Sequence, residues 1–182
     1  MQRSRMVRSA VAAAVLVAVG AGIRLRRQGR NHRGREGRRS MLEANKAIAS
    51  RIIQQIFNEG RLDATEELVA AGYVGHDNAR PAPLIGQNGV KESAAGYRAA
   101  FPDLAISISE QIAEGDRVVT RWEAQGTHEG DFFGVSATGK QVTVTGITVD
   151  RYADGQLIEG WTNWDTLGLL QQLGAVPALI SA

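Results

Sequence analysis

The chain has 182 residues and no cysteine, which allows one ordinary domain with an appendage and excludes disulfides, thiolate metal sites and cysteine nucleophiles. Its net charge of +2 is unevenly distributed, because residues 1–40 carry eleven Arg and one acid, Glu36 (net +10), and residues 41–182 carry −8. With 43% apolar residues, global disorder is excluded. The charge pattern predicts a basic tail, residues 1–40, joined to a separate acidic domain, residues 41–182.

The tail contains an apolar run, Val11–Ile23, behind three arginines. Thirteen residues are too few for a membrane-spanning helix, which needs roughly 20. The run suits the core of a signal peptide or an anchor; the alternative is a disordered tail or an extension that is not native to the protein, with Met41 as the true start. We expect a cytoplasmic protein, with export or membrane tethering through residues 1–23 as the alternative. The tail has no aromatic residues between its arginines on which bases could stack, so we expect no specific nucleic-acid partner.

Three helices are predicted at the start of the domain. Ile48, Ile52 and Ile56 recur at helical spacing, which predicts a first helix over Leu42–Asn58. A short second helix is predicted over Leu62–Ala70, followed by a loop that contains two prolines. The third helix is predicted over Gly89–Ala100.

The pattern then changes to the two-residue period of strands. Strands are predicted over 106–112 and 118–127, joined by a turn at Gly115, and over 141–152 and 157–164 after a long glycine-rich loop. A final short helix is predicted over Thr166–Leu173. Helices first and antiparallel strands afterwards predict an α+β fold.

The candidate chemistry lies in the last strand, whose sequence is LIEGWTNWD. Strict alternation from Leu157 places Glu159, Trp161, Asn163 and Asp165 on one face. This mixture of aromatic and polar side chains is unusual for a core and suits the wall of a small-molecule pocket. Asp165 has two competing interpretations: a proton-transfer group, or the N-cap of the final helix through the amide of Leu167 or Gly168.

Other candidates lie in loops and on the second strand. His128 stands at the edge of the glycine-rich loop, and His76 lies in the loop with the prolines; either His faces a cavity or is an ordinary loop residue. Trp122 shares a strand face with His128 and is either core or ligand platform. Phe133 either covers an apolar ligand or packs under the sheet. Two domain histidines 52 residues apart form no metal signature, so we expect no metal and no cofactor.

These segments resemble the SnoaL-like polyketide cyclase family, also called ester cyclases. The resemblance covers almost all of 41–182 and is carried by six stretches of sequence: IFNEG, RLDATEELVA, AGYVGHD, FPDL, GDRVVTRWEAQGTHEGDFFGVSATGK and LIEGWTNWDTLGLLQQLG. It implies the nuclear-transport-factor-like fold, a cone in which N-terminal helices pack in a curved antiparallel sheet around an apolar pocket. It also implies pairing of two or more copies through the outer face of the sheet.

The resemblance further implies a cofactor-independent intramolecular aldol ring closure on an apolar carbonyl or ester compound. Asp165 matches the family's acid/base Asp, and His76 matches a loop His that contacts ligand or shapes the entrance. His128, Trp161 and Asn163 are the expected oxyanion donors, and Trp122 and Phe133 are expected to contact substrate. The alternatives are a non-catalytic module that binds a small hydrophobic ligand and another acid/base enzyme, of isomerase or epoxide hydrolase type.

Overall fold

The computed structural model describes residues 34–177. The tail residues 1–33, with the apolar run and most of the arginines, lie outside the described residues. The chain divides into two units between Met41 and Leu42, and the second unit contains the sheet. Within residues 34–177, no helix has the length and apolarity that a membrane crossing requires.

The first helix, α1, is helical from residue 34 to residue 51 and continues as a π-helix over Ile52–Asn58. The described helix thus begins earlier than the predicted Leu42. After it the chain forms a 3₁₀ turn at Leu62–Ala64, α2 (Thr65–Leu68), β1 (Val69–Asp77), β2 (Leu84–Ile85), α3 (Gly86–Ala100), β3 (Ala105–Glu114), β4 (Arg117–Thr127), β5 (Gln141–Ala153), β6 (Gln156–Trp164) and α4 (Thr166–Leu173).

The six strands form one curved sheet in the order β2-β1-β6-β5-β4-β3. Neighbouring strands are antiparallel except β1 and β6, which pair in parallel. The predicted α+β class is confirmed, and so are the four strands from β3 to β6 and the final helix. Gly174 ends α4 with a positive φ of 84°, a conformation that favours glycine.

Strand β1 is the main element that the sequence analysis missed. The prediction of a helix through Ala70 and a loop afterwards is wrong, because α2 ends at Leu68 and the chain enters a nine-residue strand. This strand has a weak sequence signal, since Gly72 and Gly75 interrupt its apolar alternation. Its stabilising partner, β6, lies about 80 residues further along the chain.

A β-bulge changes the facing of side chains along β6. Tyr152 pairs with Leu157 and Arg151 pairs with Glu159, so Ile158 is an extra residue between them. An extra residue reverses the alternation of every side chain beyond it. Leu157 therefore faces the helices, and so do Gly160, Thr162 and Trp164, while Glu159 faces outward.

The helices pack on the inner face of the sheet. Ile56, Leu68 and Val69 are buried at the centre of the larger apolar cluster, and a second cluster lies near α4. Asn58, the last residue of α1, connects the helix to the free edge of β3. Its side-chain oxygen accepts from the backbone N–H of Ile106 (2.7 Å), and its amide nitrogen donates to the carbonyl of the same residue (2.9 Å).

We predict that Asn58→Ala lowers the free energy of unfolding by about 2 kcal/mol, because it leaves two backbone groups of a partly buried residue without partners. Denaturant unfolding measures the change. Asn163→Ala, at an exposed position, is the matched control and should change stability by less than about 0.5 kcal/mol. Equal effects of the two substitutions would contradict this role for Asn58.

Candidate active site

A cavity of about 200 Å³ lies between the helices and the inner face of the sheet. Its walls are mainly apolar and aromatic, and a small number of polar side chains point into it. The apolar and aromatic lining includes Ile52, Ile53, Phe57, Leu84, Val90, Phe101, Ile106, Trp122, Phe132, Val142, Val144, Leu157 and Trp164. A concave, apolar site with few polar groups is the usual form of a small-molecule site.

Of the two carboxylates that line this cavity, Asp150 has the fewer hydrogen-bond partners. It lies on the inner face of β5, the face that also carries Val142 and Val144. Its one side-chain hydrogen bond among the described residues is a long one from the Tyr152 hydroxyl to Oδ2 (3.4 Å). Burial raises the pKa of Asp150 from 3.8 to about 7, and the Tyr152 hydrogen bond opposes that rise only in part.

Asp77, the second carboxylate of the cavity, is held by several donors. Its Oδ1 accepts from the indole nitrogen of Trp164 (3.1 Å) and from the backbone N–H of Ala79 (2.9 Å). Arg80 lies 3.5 Å from Oδ2, and its guanidinium stands over the ring of Tyr97. A carboxylate surrounded by donors in this way is fixed in position, and its oxygens already accept hydrogen bonds from the protein.

Trp122 lines the cavity where its neighbours on the sheet are polar. Its indole nitrogen donates to the hydroxyl of Thr148 (3.0 Å), which lies 3.4 Å from that of Thr162. The structure therefore places Trp122 where the sequence analysis expected a ligand contact, although its N–H is already used. Whether it contacts a ligand stays a prediction.

The predicted pocket wall on β6 is wrong. Trp161 and Asn163 face the outer side of the sheet, because the bulge at Ile158 reverses the alternation on which the prediction depended. Glu159 also faces outward, and its Oε2 accepts from Arg151 (2.6 Å). Thr162 and Trp164 line the cavity instead, and Gly160 faces the same side of the sheet.

His76 borders the cavity at the end of β1, but its ring turns to the outer face. There it stacks on Trp161, with ring centroids 5.4 Å apart, and its Nε2 lies 3.3 Å from Glu159 Oε1. Arg151 and His76 together lower the pKa of Glu159. The ring of His76, expected to contact ligand, thus lies on the outer face with Trp161 and Glu159.

Asp165 is the N-cap of α4, which was one of its two predicted roles. Its side chain is exposed and accepts from the amide of Gly168 (2.8 Å). It does not line the cavity, since it follows the last inward-facing residue, Trp164. This placement corrects the expectation that Asp165 faces a bound substrate.

His128 is fully buried but does not line the cavity. Its Nδ1 accepts from the backbone N–H of Thr138 (3.3 Å), and its ring packs on Phe101, which does line the cavity. The side chain thus connects the two ends of the glycine-rich loop, and this corrects the expectation that it acts on a substrate. Phe133 is 47% exposed and does not line the cavity, although its ring contacts those of Phe132 and Trp164, which do.

One sequence signal identifies Asp150 in retrospect. Alternation from Val142 and Val144 along β5 places Thr148 and Asp150 on the apolar face, where an acidic residue is exceptional. No comparable signal exists for Asp77 or Tyr73, because their strand was predicted as a loop. A half-buried carboxyl with a raised pKa, set in an apolar cavity, suits proton transfer at a carbon atom.

Comparisons with known proteins identify the family and the fold. The sequence profile of the SnoaL-like polyketide cyclase family matches residues 47–173. A search of curated proteins gives no match.

Among solved structures, the chain is similar to a protein from Jannaschia sp. CCS1 assigned as a SnoaL-like polyketide cyclase (25% identity, TM-score 0.69, covering 75% of this chain and 96% of that one). It is also similar to a protein from Acidithiobacillus ferrooxidans assigned as a polyketide cyclase (34% identity, TM-score 0.66, 72% and 95%). AclR from Streptomyces galilaeus, assigned as a hydroxylase, is similar as well (26% identity, TM-score 0.67, 77% and 87%). Proteins of this fold thus carry assignments to more than one reaction.

We predict that Asp150→Asn becomes more stable relative to the unchanged protein as the pH rises. Because the folded-state pKa of Asp150 is raised, the folded protein loses stability as the pH increases from about 4 through about 7, and an amide has no such loss. The difference in unfolding free energy should grow by at most about 4 kcal/mol, the equivalent of the shift from 3.8 to about 7. Urea unfolding at pH 4.5 and pH 8 measures it, and an equal difference at both pH values would contradict the burial of this carboxyl.

Proposed function

The chain belongs to the SnoaL-like polyketide cyclase family, and we propose that it is an acid/base enzyme that closes a ring in an apolar carbonyl compound by an intramolecular aldol reaction. Asp150 is the proposed proton-transfer group. Family membership supports the reaction type, and the cavity supports an apolar substrate. The choice of Asp150 is supported by its position in that cavity.

The reaction needs one group that accepts a proton and later returns it. The Asp150 carboxylate removes a proton from the carbon next to a substrate carbonyl, which leaves an enolate. The enolate carbon attacks a second carbonyl of the same molecule, forming the new carbon–carbon bond and an alkoxide. The Asp150 carboxylic acid then protonates the alkoxide, so the enzyme ends as it began.

The observation that carries this proposal is a carboxyl that lines an apolar cavity with a single long hydrogen bond among the described residues. Burial there raises its pKa to about 7. A higher pKa makes a carboxylate a stronger base toward a C–H proton, and burial with no ion-pair partner among the described residues raises the pKa of Asp150. Asp77 lines the same cavity but is surrounded by donors. The apolar walls hold the substrate folded and keep water from competing with the enolate.

We predict that the protein catalyses exchange of the α-protons of 1-tetralone, an apolar fused-ring ketone, for solvent deuterium. Asp150→Asn should reduce the rate by about 100-fold or more, since an amide cannot accept the proton. The rate should rise with pH and reach half its maximum near pH 7, because the ionised form of Asp150 is the active one. Proton NMR in deuterated buffer follows the exchange.

The matched control is Asp165→Asn, which neutralises an exposed carboxylate at the start of α4 and keeps a good N-cap residue. It should retain most of the exchange activity. Activity lost in Asp165→Asn and kept in Asp150→Asn would return the base to Asp165. Wild-type exchange no faster than buffer, with 1-tetralone nevertheless bound, would favour a ligand-binding module.

We also propose that two copies of the chain pair through the outer face of the sheet. Cross-strand neighbours form a largely apolar row there: Ile112, Val119, Val149 and Trp161. Ile112 is 58% exposed, and the nearby Ile147 is 47% exposed. A row of this kind across four strands is typical of a surface that a partner covers.

We predict a homodimer in sedimentation, and Val149→Lys should shift the chain to a monomer because it introduces an unpaired charge into the centre of the row. Lys46→Glu, which changes a charge on α1, should leave the assembly state unchanged. A wild-type chain that sediments as a monomer at high concentration would contradict the pairing.

A further inference from the structure

We propose that Tyr73 is a second catalytic residue of this cavity: its hydroxyl donates to the substrate carbonyl oxygen while Asp150 removes the adjacent α-proton. The inference rests on the proposed function and assigns a separate step of it. It names the group that stabilises the enolate, which the base alone does not do.

The ring of Tyr73 lies along its own strand. Tyr73 is buried, only 7% exposed, on the inner face of β1. The ring crosses Gly75, two residues further on: a Cβ at that glycine would stand 2.5 Å from the Tyr73 hydroxyl and 2.9 Å from the ring. The absence of a side chain at Gly75 is therefore what allows the ring to lie flat on the strand.

The hydroxyl extends over Gly160 on the neighbouring strand β6. The side chain of Asp150 extends over the same glycine from β5, on the other side of β6. A Cβ at Gly160 would stand 2.9 Å from the Tyr73 hydroxyl and 2.7 Å from Asp150 Oδ1. The two oxygens therefore lie less than about 6 Å apart, on strands that flank β6. Gly75 and Gly160, which pair directly, form the slot that holds them.

Neither of these two oxygens has a partner in the described part of the chain. Tyr73 and Asp150 Oδ1 make no hydrogen bond to each other, and Tyr152 contacts the other carboxyl oxygen, Oδ2. The Tyr73 hydroxyl is open to the cavity, since Tyr73 and Asp150 both line it. An unpaired phenol in an apolar site is costly, and a ligand oxygen that accepts its hydrogen bond relieves that cost.

The other two tyrosine hydroxyls near the cavity are already engaged. Tyr97 lies with Asp77 and Arg80, and Tyr152 is the partner of Asp150. Tyr73 differs from both because its hydroxyl makes no hydrogen bond within the described residues and lies beside the proposed base. This difference is what assigns it to the substrate oxygen.

The two groups have complementary proton chemistry. Burial and the nearby carboxylates of Asp150 and Asp77 raise the pKa of Tyr73, so the phenol keeps its proton and acts as a hydrogen-bond donor. When Asp150 removes the α-proton, negative charge moves to the carbonyl oxygen. A donor fixed at that oxygen stabilises the enolate more than the neutral ketone, which lowers the barrier.

The test is Tyr73→Phe, which removes one oxygen atom and keeps the ring in its slot. Exchange of 1-tetralone should slow by about 100-fold in kcat, the usual effect of losing one oxyanion donor, with KM changed less than about threefold. The pH midpoint should remain that of a single carboxyl. The matched variant Tyr97→Phe removes a hydroxyl from the Asp77 cluster instead, so its kcat should fall far less than that of Tyr73→Phe.

A binding measurement tests the same donor without turnover. 2-Naphthol presents an aromatic hydroxyl oxygen that resembles that of an enol, and Tyr73→Phe should weaken its binding by about tenfold while Tyr97→Phe does not. Circular dichroism of both variants verifies that the fold is kept.

The outcomes separate the two proposals. If Asp150→Asn is inactive while Tyr73→Phe exchanges 1-tetralone and binds 2-naphthol as the unchanged protein does, the assignment of Tyr73 is overturned and the proposed function stands. If the unchanged protein and Asp150→Asn give equal exchange, the proposed function fails. In that case, unchanged 2-naphthol affinity in Tyr73→Phe overturns the donor role, and a loss specific to Tyr73→Phe supports it as a ligand contact.

Discussion

The one-residue bulge at Ile158 sets which side chains of the last strand face the cavity. Beyond it, Gly160 faces inward, where its lack of a side chain leaves space for Asp150 and Tyr73. Trp164 also faces inward, and its indole holds Asp77. Without the extra residue, the opposite face of β6 would line the cavity, and the polar groups of the site would lose their neighbours.

The cavity contains two carboxylates, and their surroundings give them different properties. Asp77 accepts hydrogen bonds from an indole and a backbone amide and stands beside Arg80. Asp150 has a single long hydrogen bond from a tyrosine, and burial raises its pKa to about 7. One carboxylate therefore organises the cavity wall, and the other is available to move a proton. Environment, not residue type, separates the two roles.

The sequence allowed most of the fold to be predicted but little of the site. The periodic segments of β3 to β6 and α4 have strong local signals, because apolar side chains repeat at the spacing of their element. Asp165 illustrates the limit. Its place before a helix favours a capping role, whereas its predicted pocket position requires that the side chains of β6 alternate without interruption. The position of Asp150 on the inner face could be predicted from the alternation of side chains along β5. That of Tyr73 could not, because its strand is recognisable only once β6 lies beside it.

The sequence by itself determined the α+β class and the resemblance to the cyclase family, and it left Asp165 open between a helix cap and a proton-transfer group. These properties depend on patterns of nearby residues, which can be read without knowing how the chain folds. The tertiary structure alone decided which face of β6 is internal, that His76 and Trp161 stack outside, and that Tyr73 and Asp150 meet across Gly160. The physical reason is that strand pairing acts between residues far apart in the chain. A single bulge then reverses which side chains of a strand face inward, and the amino-acid composition of the strand does not indicate it.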